Sequence, residues 1–268
     1  MATYISSDTL FASTHRSEVT ELLQFFKNNN LERDEELQLH AVKRVIAYMT
    51  LGVDVSPVFT HMVMASNTRS IVQKKLVYLY LCNYAESHPD LSLLCINTLR
   101  KDCTDHNPMI RGLALRAISS LRLPHLMEYL VPPARDGLKD HAPYVRKTAV
   151  MACAKLHNLA PSYIDEEFVN YLYDMLLDKD TSVATNSVLA LNQILAEEGG
   201  MAVTPEIAGH LMNIVDEARE GGQCAILETL KKYQPDESTI YDAMNMVEPS
   251  LSSCNSAVRQ LRRGLEGG

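Results

Sequence analysis

The sequence predicts an all-α protein, and more narrowly an α-solenoid built from stacked helix pairs. Apolar residues recur at helical spacing along nearly the whole chain. No stretch shows the alternation of apolar and polar residues that is typical of a half-buried strand. A short motif also returns after 35 residues, and a period of this length is typical of helical repeats.

The individual helices follow from this spacing and from the turn residues between them. Near the amino terminus, Val19, Leu22, Leu23 and Phe26 occupy positions i, i+3, i+4 and i+7 and so form one face of a helix. Proline fits the first turn of a helix, because its missing N–H would have no intrahelical partner there. We therefore predict helix starts or breaks at the following turn residues: Gly52, Pro57, Pro89, Pro108, Pro124, Pro143, Pro161, Pro205 and Pro249.

The repeated motif sets the register of the helices against one another. Residues 105–111 (DHNPMIR) resemble residues 140–146 (DHAPYVR), and residues 178–184 and 67–73 are weaker copies. Counted from its aliphatic residue, each copy predicts the core-facing positions of the helix that follows. These positions are Leu113, Ala114, Ala117, Ile118 and Leu121 after Ile110; Thr148, Ala149, Ala152, Cys153 and Leu156 after Val145; Asn186, Ser187, Ala190, Leu191 and Ile194 after Val183; and Lys75, Leu76, Leu79 and Tyr80 after Val72.

A helix pair cannot bury its own apolar face, so this period implies that pairs stack on one another. In the two best copies, an Asp and an Arg six residues later resemble the ladder of HEAT repeats, in which each Asp turn bonds the Arg of a neighbouring repeat. On this resemblance Asp105, Arg111, Asp140 and Arg146 have a structural role. The predicted architecture is a HEAT/armadillo-type α-solenoid superhelix of about seven helix pairs, forming one domain over residues 1–268.

Composition and charge exclude several classes of function. The formal net charge of −8 does not favour nucleic acid or anionic membranes as direct partners. The amino terminus has no signal-peptide pattern, and no apolar stretch approaches the roughly 20 residues that a membrane span needs. Six cysteines are scattered without C-x-x-C spacing, as is typical of buried free thiols in a reducing compartment. We therefore expect a cytoplasmic protein.

Motifs for catalysis or metal binding are missing from the sequence. None of the nine histidines forms an H-x-x-x-H or H-x-x-E-H pattern. The sequence also lacks a G-x-S-x-G motif, a P-loop and a G-x-G-x-x-G motif. We expect no enzymatic activity, no catalytic or metal-binding residues and no cofactor.

Residues 89–102 form a predicted helix that is apolar nearly all round. Leu93 and Ile96 are predicted to lie on the side opposite to its main apolar face. That main face consists of Leu91, Leu94, Cys95 and Thr98. A helix that is apolar on two sides is either sandwiched between repeats or exposes a docking patch, and the spacing leaves both interpretations open.

Several longer strings resemble the amino-terminal trunk of beta-type adaptins, which are large subunits of heterotetrameric vesicle-coat adaptors. These strings are residues 72–81 (VQKKLVYLYL), 97–103 (NTLRKDC), 107–116 (NPMIRGLALR) and 144–147 (YVRK). Within the family, the beta subunit of adaptor complex four, a trans-Golgi adaptor that acts without clathrin, is most similar. That similarity rests on residues 44–50 (RVIAYMT), 154–159 (AKLHNL) and 232–235 (KYQP).

The resemblance implies a subunit of an adaptor coat complex for vesicle-mediated protein transport and cargo sorting at the trans-Golgi network and endosomes. Implied partners are the other large subunit, the medium subunit and the small subunit, with peripheral membrane recruitment by a GTP-loaded Arf-type GTPase. In related beta subunits, apolar positions on the matching helix meet the GTPase, and these positions fall on Leu93 and Ile96. The alternative is a generic HEAT-repeat scaffold or transport-receptor-like module that binds other proteins.

Departures from the family pattern limit what is carried over. Some beta subunits have a lysine-rich stretch that meets phosphoinositide, but residues 31–36 read LERDEE here, so we do not expect phosphoinositide binding. Beta adaptins continue through a longer trunk, a hinge and an appendage, whereas residues 259–268 do not resemble the expected apolar helix. We therefore expect a truncated form without clathrin or appendage functions, and we expect residues 1–16 to be flexible.

Overall fold

The computed structural model describes residues 18–27 and 34–233, together with the single residues 256 and 260. These described residues form helices joined by turns and contain no strand. The chain divides into two units, Met1–Leu123 and Pro124–Gly268. The flexible segment predicted at residues 1–16 and Pro249 lie outside the described residues, as does the divergent end at residues 259–268 apart from residue 260.

The first unit contains six described helices. They are α1 (residues 18–26), α2 (Glu35–Thr50), α3 (Phe59–Ala65), α4 (Ile71–Tyr84), α5 (Pro89–Cys103) and α6 (Pro108–Ile118). Helices α2, α4 and α6 pack side by side in one layer, while α3 and α5 pack against each other and against that layer. Helix α1 meets α3 where the ring of Phe26 lies 5.6 Å from that of His61. The consecutive pairs are thus stacked as the repeat predicts.

Two side-chain contacts show that α2 and α4 run parallel. At their amino-terminal ends, Gln73 Nε2 donates a hydrogen bond of 2.8 Å to Gln38 Oε1. At their carboxyl-terminal ends, Asn83 Nδ2 donates to Met49 Sδ at 3.6 Å. Parallel equivalent helices are the arrangement expected when one repeat stacks on the next.

The second unit repeats this arrangement. Its described helices are α7 (Met127–Leu138), α8 (Pro143–Leu159), α9 (Glu166–Met175), α10 (Thr181–Ile194), α11 (Pro205–Ile214) and α12 (Glu220–Leu230). Helix α10 packs between α8 and α12 in one layer. Helix α7 packs on α8 and α9, and α11 packs on α12. The all-α prediction and the stacking of helix pairs are therefore confirmed within each unit.

The helices begin and end where the local sequence favours a boundary. The Asp34 carboxylate caps α2 by accepting hydrogen bonds from the N–H groups of Glu36 and Leu37 at 3.0 and 3.2 Å. Gly52 follows that helix with a φ of +79°, a left-handed conformation that glycine adopts without a Cβ penalty. The predicted prolines begin α5, α6, α8 and α11, or lie in the short 3-10 turns before α3, α7 and α9.

The core positions predicted from three of the four repeat copies are confirmed. Thr148 and Asn186 are half-buried, and the other predicted positions in α6, α8, α10 and the turn after α6 are buried. Small side chains such as Ala114, Ala149 and Ser187 are fully buried where neighbouring helices meet. A shared aliphatic register therefore produces a shared buried face.

The register predicted for the fourth copy is wrong by one residue. Val72 and Leu79 are 55% and 48% exposed, and Lys75 is exposed as well. The buried face of α4 instead consists of Gln73, Lys74, Val77, Tyr78, Tyr80 and Leu81. The physical reason is that this helix carries apolar residues on every side, so that spacing alone selects no single face.

Candidate functional site

Two adjacent leucines form the exposed, large apolar part of the α5 surface. Leu93 and Leu94 are each 46% exposed. Cys95, Ile96 and Leu99 face the interior and are completely buried. The structure thus places one of the two predicted docking residues, Leu93, at the surface.

The predicted outward orientation of Ile96 is wrong, and so is the predicted placement of Leu94 on the face opposite to Leu93, since both leucines are exposed. Helix α5 is held between α3 and α6, and its buried arc runs through Cys95, Ile96 and Leu99 to Asp102. Leu93 and Ile96 are only about 60° apart around a helix. The edge of the buried arc falls between them, so Leu93 is exposed while Ile96 is completely buried.

The local sequence gives the α5 surface a directional charge pattern. Pro89 begins the helix, and Asp90 lies in the first turn, where a carboxylate favours the positive end of the helix dipole. Arg100 and Lys101 lie in the last turn and are exposed. A partner on this surface would meet an apolar centre near the start of the helix and cations near its end.

The predicted ladder residues make local contacts in both best copies of the motif. Arg111 Nη1 donates hydrogen bonds to the carbonyl oxygens of Asp105 and His106 at 2.9 and 3.0 Å. The carboxylates of Asp105 and Asp140 each accept the N–H of the residue two positions later, both at 2.8 Å. Each Asp thus closes the turn before its helix, and Arg111 binds the backbone of that turn.

Arg146 extends this pattern to the next repeat. Its Nη1 donates to the carbonyl oxygens of Asp140 and His141 at 3.0 and 2.9 Å. Its Nε and Nη2 donate to the two carboxylate oxygens of Asp178 at 2.7 and 2.9 Å. Asp178 is the first residue of the third motif copy. The guanidinium therefore connects two successive turns of the second unit.

The ionisation of this pair follows from its surroundings. Burial acts to raise the pKa of the Asp178 carboxyl, but hydrogen bonds from Arg146 and from the Asp180 N–H outweigh it and hold the pKa below its ordinary value. The hydrogen bond to Asp178 raises the pKa of Arg146 in turn. Both groups are charged at neutral pH, as a structural ion pair requires.

A buried charged cluster in the first unit was not predicted from the sequence. Lys74 Nζ donates to Asp102 Oδ2 at 2.7 Å and to the Ser66 carbonyl oxygen at 3.0 Å. The Tyr78 hydroxyl donates to the same Asp102 oxygen. Burial and this hydrogen bond raise the pKa of Tyr78 well above its ordinary value, so the phenol remains protonated.

The corrected register of α4 provides the signal that would have revealed this cluster. With Gln73 aligned to Ile110, Lys74 takes the position of Arg111. Like that arginine, it binds a carbonyl oxygen of the turn before its own helix. It also reaches a carboxylate further along the chain, as Arg146 does. The cluster is thus a lysine version of the ladder.

Two buried cysteines are poorly suited to nucleophilic chemistry. Burial raises the pKa of the Cys95 and Cys153 thiols to about 12, so neither supplies a thiolate nucleophile near neutral pH. Within the described stretches, no three His, Cys, Asp or Glu side chains form a group that could hold a metal ion. None of the helices in those stretches combines the length and apolarity that crossing a membrane requires.

Comparison with known proteins places this architecture in a family. The family model "Adaptin N terminal region" matches residues 14–259. The chain is 46% identical over 242 residues to the AP-4 complex subunit beta-1 of Mus musculus. This aligned region covers 90% of this chain and 33% of that protein. It is 46% identical over 229 residues to the beta-adaptin-like protein A of Arabidopsis thaliana, covering 81% of this chain and 27% of that protein.

A beta subunit of another complex and a structural neighbour are also similar. The AP-1 complex subunit beta-1 of Mus musculus is 39% identical over 253 residues, or 92% of this chain and 26% of that protein. The chain thus spans about a third of the AP-4 relative and less of the other two. One chain in a homology model of the full-length AP-3 complex matches with a TM-score of 0.64 and 22% identity, covering 98% of this chain and 48% of that one. This last likeness shows the shared solenoid fold, and the match across residues 14–259 shows that the chain belongs to the adaptin N-terminal region family.

Proposed function

We propose that the chain acts as the amino-terminal trunk of a beta-type large subunit in a heterotetrameric adaptor complex. The observation that carries the proposal is the adaptin match over residues 14–259. Relatives at 46% and 39% identity are named as beta subunits of AP-4 and AP-1 complexes. The role is one of protein binding, without catalysis. It serves cargo sorting in vesicle-mediated transport at trans-Golgi and endosomal membranes, where the chain is held peripherally by its partners.

The partners in this proposal are the other large subunit, the medium and small subunits, and a GTP-loaded Arf-type GTPase. The α5 surface supports the GTPase part, because Leu93 and Leu94 present adjacent apolar side chains to solvent and apolar anchors dominate many protein interfaces. Ile96 is completely buried, so it does not contact a partner directly. We therefore propose Leu93 and Leu94 as the contact residues.

Assembly is tested by purifying the tagged chain after co-expression with the other subunits of an adaptor complex. Stable recovery of the large, medium and small subunits is the expected outcome. Recovery of the folded chain alone would remove the adaptor proposal for this chain and favour a generic protein-binding scaffold.

GTPase docking needs a separate experiment, because it can fail while assembly succeeds. Binding of an Arf-type GTPase loaded with non-hydrolysable GTP is compared for the native chain, Leu93→Glu and Leu94→Glu. Leu177→Glu is the matched control, because Leu177 is also exposed but lies in the second unit. We expect both α5 variants to weaken binding by at least about tenfold. Unchanged binding by the folded α5 variants would remove the docking role.

A further inference from the structure

The layer formed by α2, α4 and α6 presents a second surface, which we call the basic-apolar face. Its exposed apolar members are Val72 and Leu79, and its exposed basic members are Lys43, Lys75 and Arg116. None of them belongs to the α5 surface or to the charged ladder. This face is therefore independent of the proposed GTPase contact.

The centre of the face is an apolar stripe on α4. Val72, Leu76 and Leu79 follow one another at i, i+4 and i+7, so they lie along one side of the helix. Val72 and Leu79 are exposed and Leu76 is half-buried. The opposite side of α4 already buries a full set of core residues. The stripe is thus surplus to the internal packing of this unit.

Basic residues of the neighbouring helices flank the stripe on both sides. Gln38 and Gln73 are joined by a hydrogen bond, so the parallel helices α2 and α4 begin at the same level. At 100° per residue, Lys43 lies on the same side of this layer as Val72. On the other side, Cys82 Sγ lies 3.5 Å from the carbonyl oxygen of Ala117. The exposed Arg116 directly precedes that alanine. The three helices therefore form one continuous surface.

The charges on this face have one sign over most of its extent. Beyond the first turn of α2, and throughout α4 and α6, the sequence contains basic residues and no acidic ones. Lys74 and Arg111 are committed to buried contacts, which leaves Lys43, Lys75 and Arg116 facing solvent. This is opposite in sign to the chain as a whole, whose net charge is −8.

We propose that the basic-apolar face binds an acidic amphipathic helix of a partner protein. The stripe from Val72 to Leu79 is about 10 Å long, which matches about two turns of a helix laid along it. Apolar side chains at i, i+4 and i+7 provide the ridges into which a second helix packs. The lysines and arginine at the rim pair with carboxylates on the flanks of the partner helix and set its orientation.

The face fits an anionic lipid surface less well. Asp34, Glu35 and Glu36 are exposed at the start of α2, which lies at the level of the start of α4. Headgroups pressed against this end would be repelled by those carboxylates. A helical partner can place its own basic or neutral residues there.

Selection from an unbiased peptide library tests the proposal. Phage-displayed random peptides are selected on the full chain, with counter-selection on the double variant Val72→Asp/Leu79→Asp. We expect the enriched peptides to carry apolar residues at helical spacing with Asp or Glu on the flanks. The proposal is overturned if no peptide depends on the stripe, or if the enriched peptides lack acidic residues.

Fluorescence anisotropy with the most enriched peptide then separates the apolar from the charged contribution. We expect Val72→Asp, Leu79→Asp and Lys75→Glu each to weaken binding by about tenfold or more, and a Glu→Lys peptide to recover binding to the Lys75→Glu variant. Leu189→Asp is the matched control, since Leu189 is similarly exposed on α10. Equal loss in that control, or stripe-dependent binding to phosphatidylserine vesicles without peptide binding, would contradict a helical partner.

Discussion

Arg146 and Asp178 form a bidentate ion pair between successive repeats of the second unit. The Nε–Oδ2 distance is 2.7 Å and the Nη2–Oδ1 distance is 2.9 Å. The two side chains are only 17% and 6% exposed. Because Arg146 lies in the first turns of α8 and Asp178 lies just before α10, this one pair fixes how the two helices start relative to each other.

Removing Arg146 should therefore cost far more than an exposed ion pair would. We expect Arg146→Ala to lower the free energy of unfolding by about 3 kcal/mol, because it leaves the carboxylate of Asp178 buried without its partner. Arg146→Lys should lower it less, since the charge is kept and only the planar fork is lost. Urea denaturation followed by circular dichroism measures both changes.

The matched control for Arg146 is Arg219→Ala, which removes an exposed arginine from the same unit. We expect the free energy of unfolding of this variant to differ from that of the native chain by no more than about 0.5 kcal/mol. A similar loss in the two alanine variants would show that the pair with Asp178 has no special stabilising role.

The same pair should make stability depend on pH in the acid range. The pKa of Asp178 lies below its ordinary value of 3.8 when the chain is folded, so the unfolded chain takes up the proton more readily. The stabilisation is therefore complete above the ordinary pKa and is lost as the pH falls through the lowered one. We expect the advantage of the native chain over Asp178→Asn to be constant between about pH 5.5 and 7 and to shrink below about pH 4.

Thermal unfolding of the native chain and of Asp178→Asn at a series of pH values measures how this stability difference changes with pH. An advantage that already declines near pH 6 would point to a histidine rather than to Asp178. If the native chain stayed more stable than Asp178→Asn by the same amount below about pH 4, folding would not favour the ionised form of the Asp178 carboxyl.

Lys74 and Asp102 should be coupled in the first unit as strongly as the arginine pair is in the second. Both side chains are nearly buried, with 6% and 11% of their surfaces exposed. We expect Lys74→Met and Asp102→Leu each to lower the free energy of unfolding by about 3 kcal/mol, because each leaves one buried charge unpaired. The double variant should lose less than the sum, by at least about 1 kcal/mol. Strict additivity in this cycle would show that the two charges do not interact.

The fold class was predictable because the repeat copies agree with one another. The copies beginning at Asp105, Asp140 and Asp178 share an aliphatic residue at the same place, and the helices after them bury the predicted positions. Three concordant registers make a stacked arrangement the consistent solution. Composition and turn residues then suffice to locate most helix starts.

The exposed sides of α4 and α5 were harder to predict. Where a helix is apolar on all sides, the spacing of its apolar residues does not distinguish the buried side from the exposed one. In α4 this misplaced Val72 and Leu79 in the core, and in α5 it placed Ile96 at the surface. Which side is covered depends on the neighbours, here α3 and α6 around α5, and that information is not local to the helix. Buried Lys74 was missed for the same reason, since its role appears only once the register is corrected.

Close packing of α12 against α10 depends on one glycine. A Cβ at Gly222 would lie 2.4 Å from Cγ2 of Thr185, so Gly222→Ala must displace one of the helices or the threonine. We expect this variant to lower the free energy of unfolding by about 1–3 kcal/mol, although alanine is intrinsically the better helix former.

Two companion variants separate this clash from other effects of the substitution. Gly221→Ala is the matched control, because a Cβ there meets nothing within 4 Å, and we expect it to stabilise by up to about 1 kcal/mol. Thr185→Ser removes Cγ2 but keeps a hydroxyl for the hydrogen bond to the Thr181 carbonyl oxygen, so it should restore most of the stability lost in Gly222→Ala. If Gly222→Ala proved as stable as Gly221→Ala, Gly222 would have to lie further from Thr185 than the 2.4 Å between its added Cβ and Cγ2 implies. Failure of the serine rescue would instead place the strain in the α12 backbone.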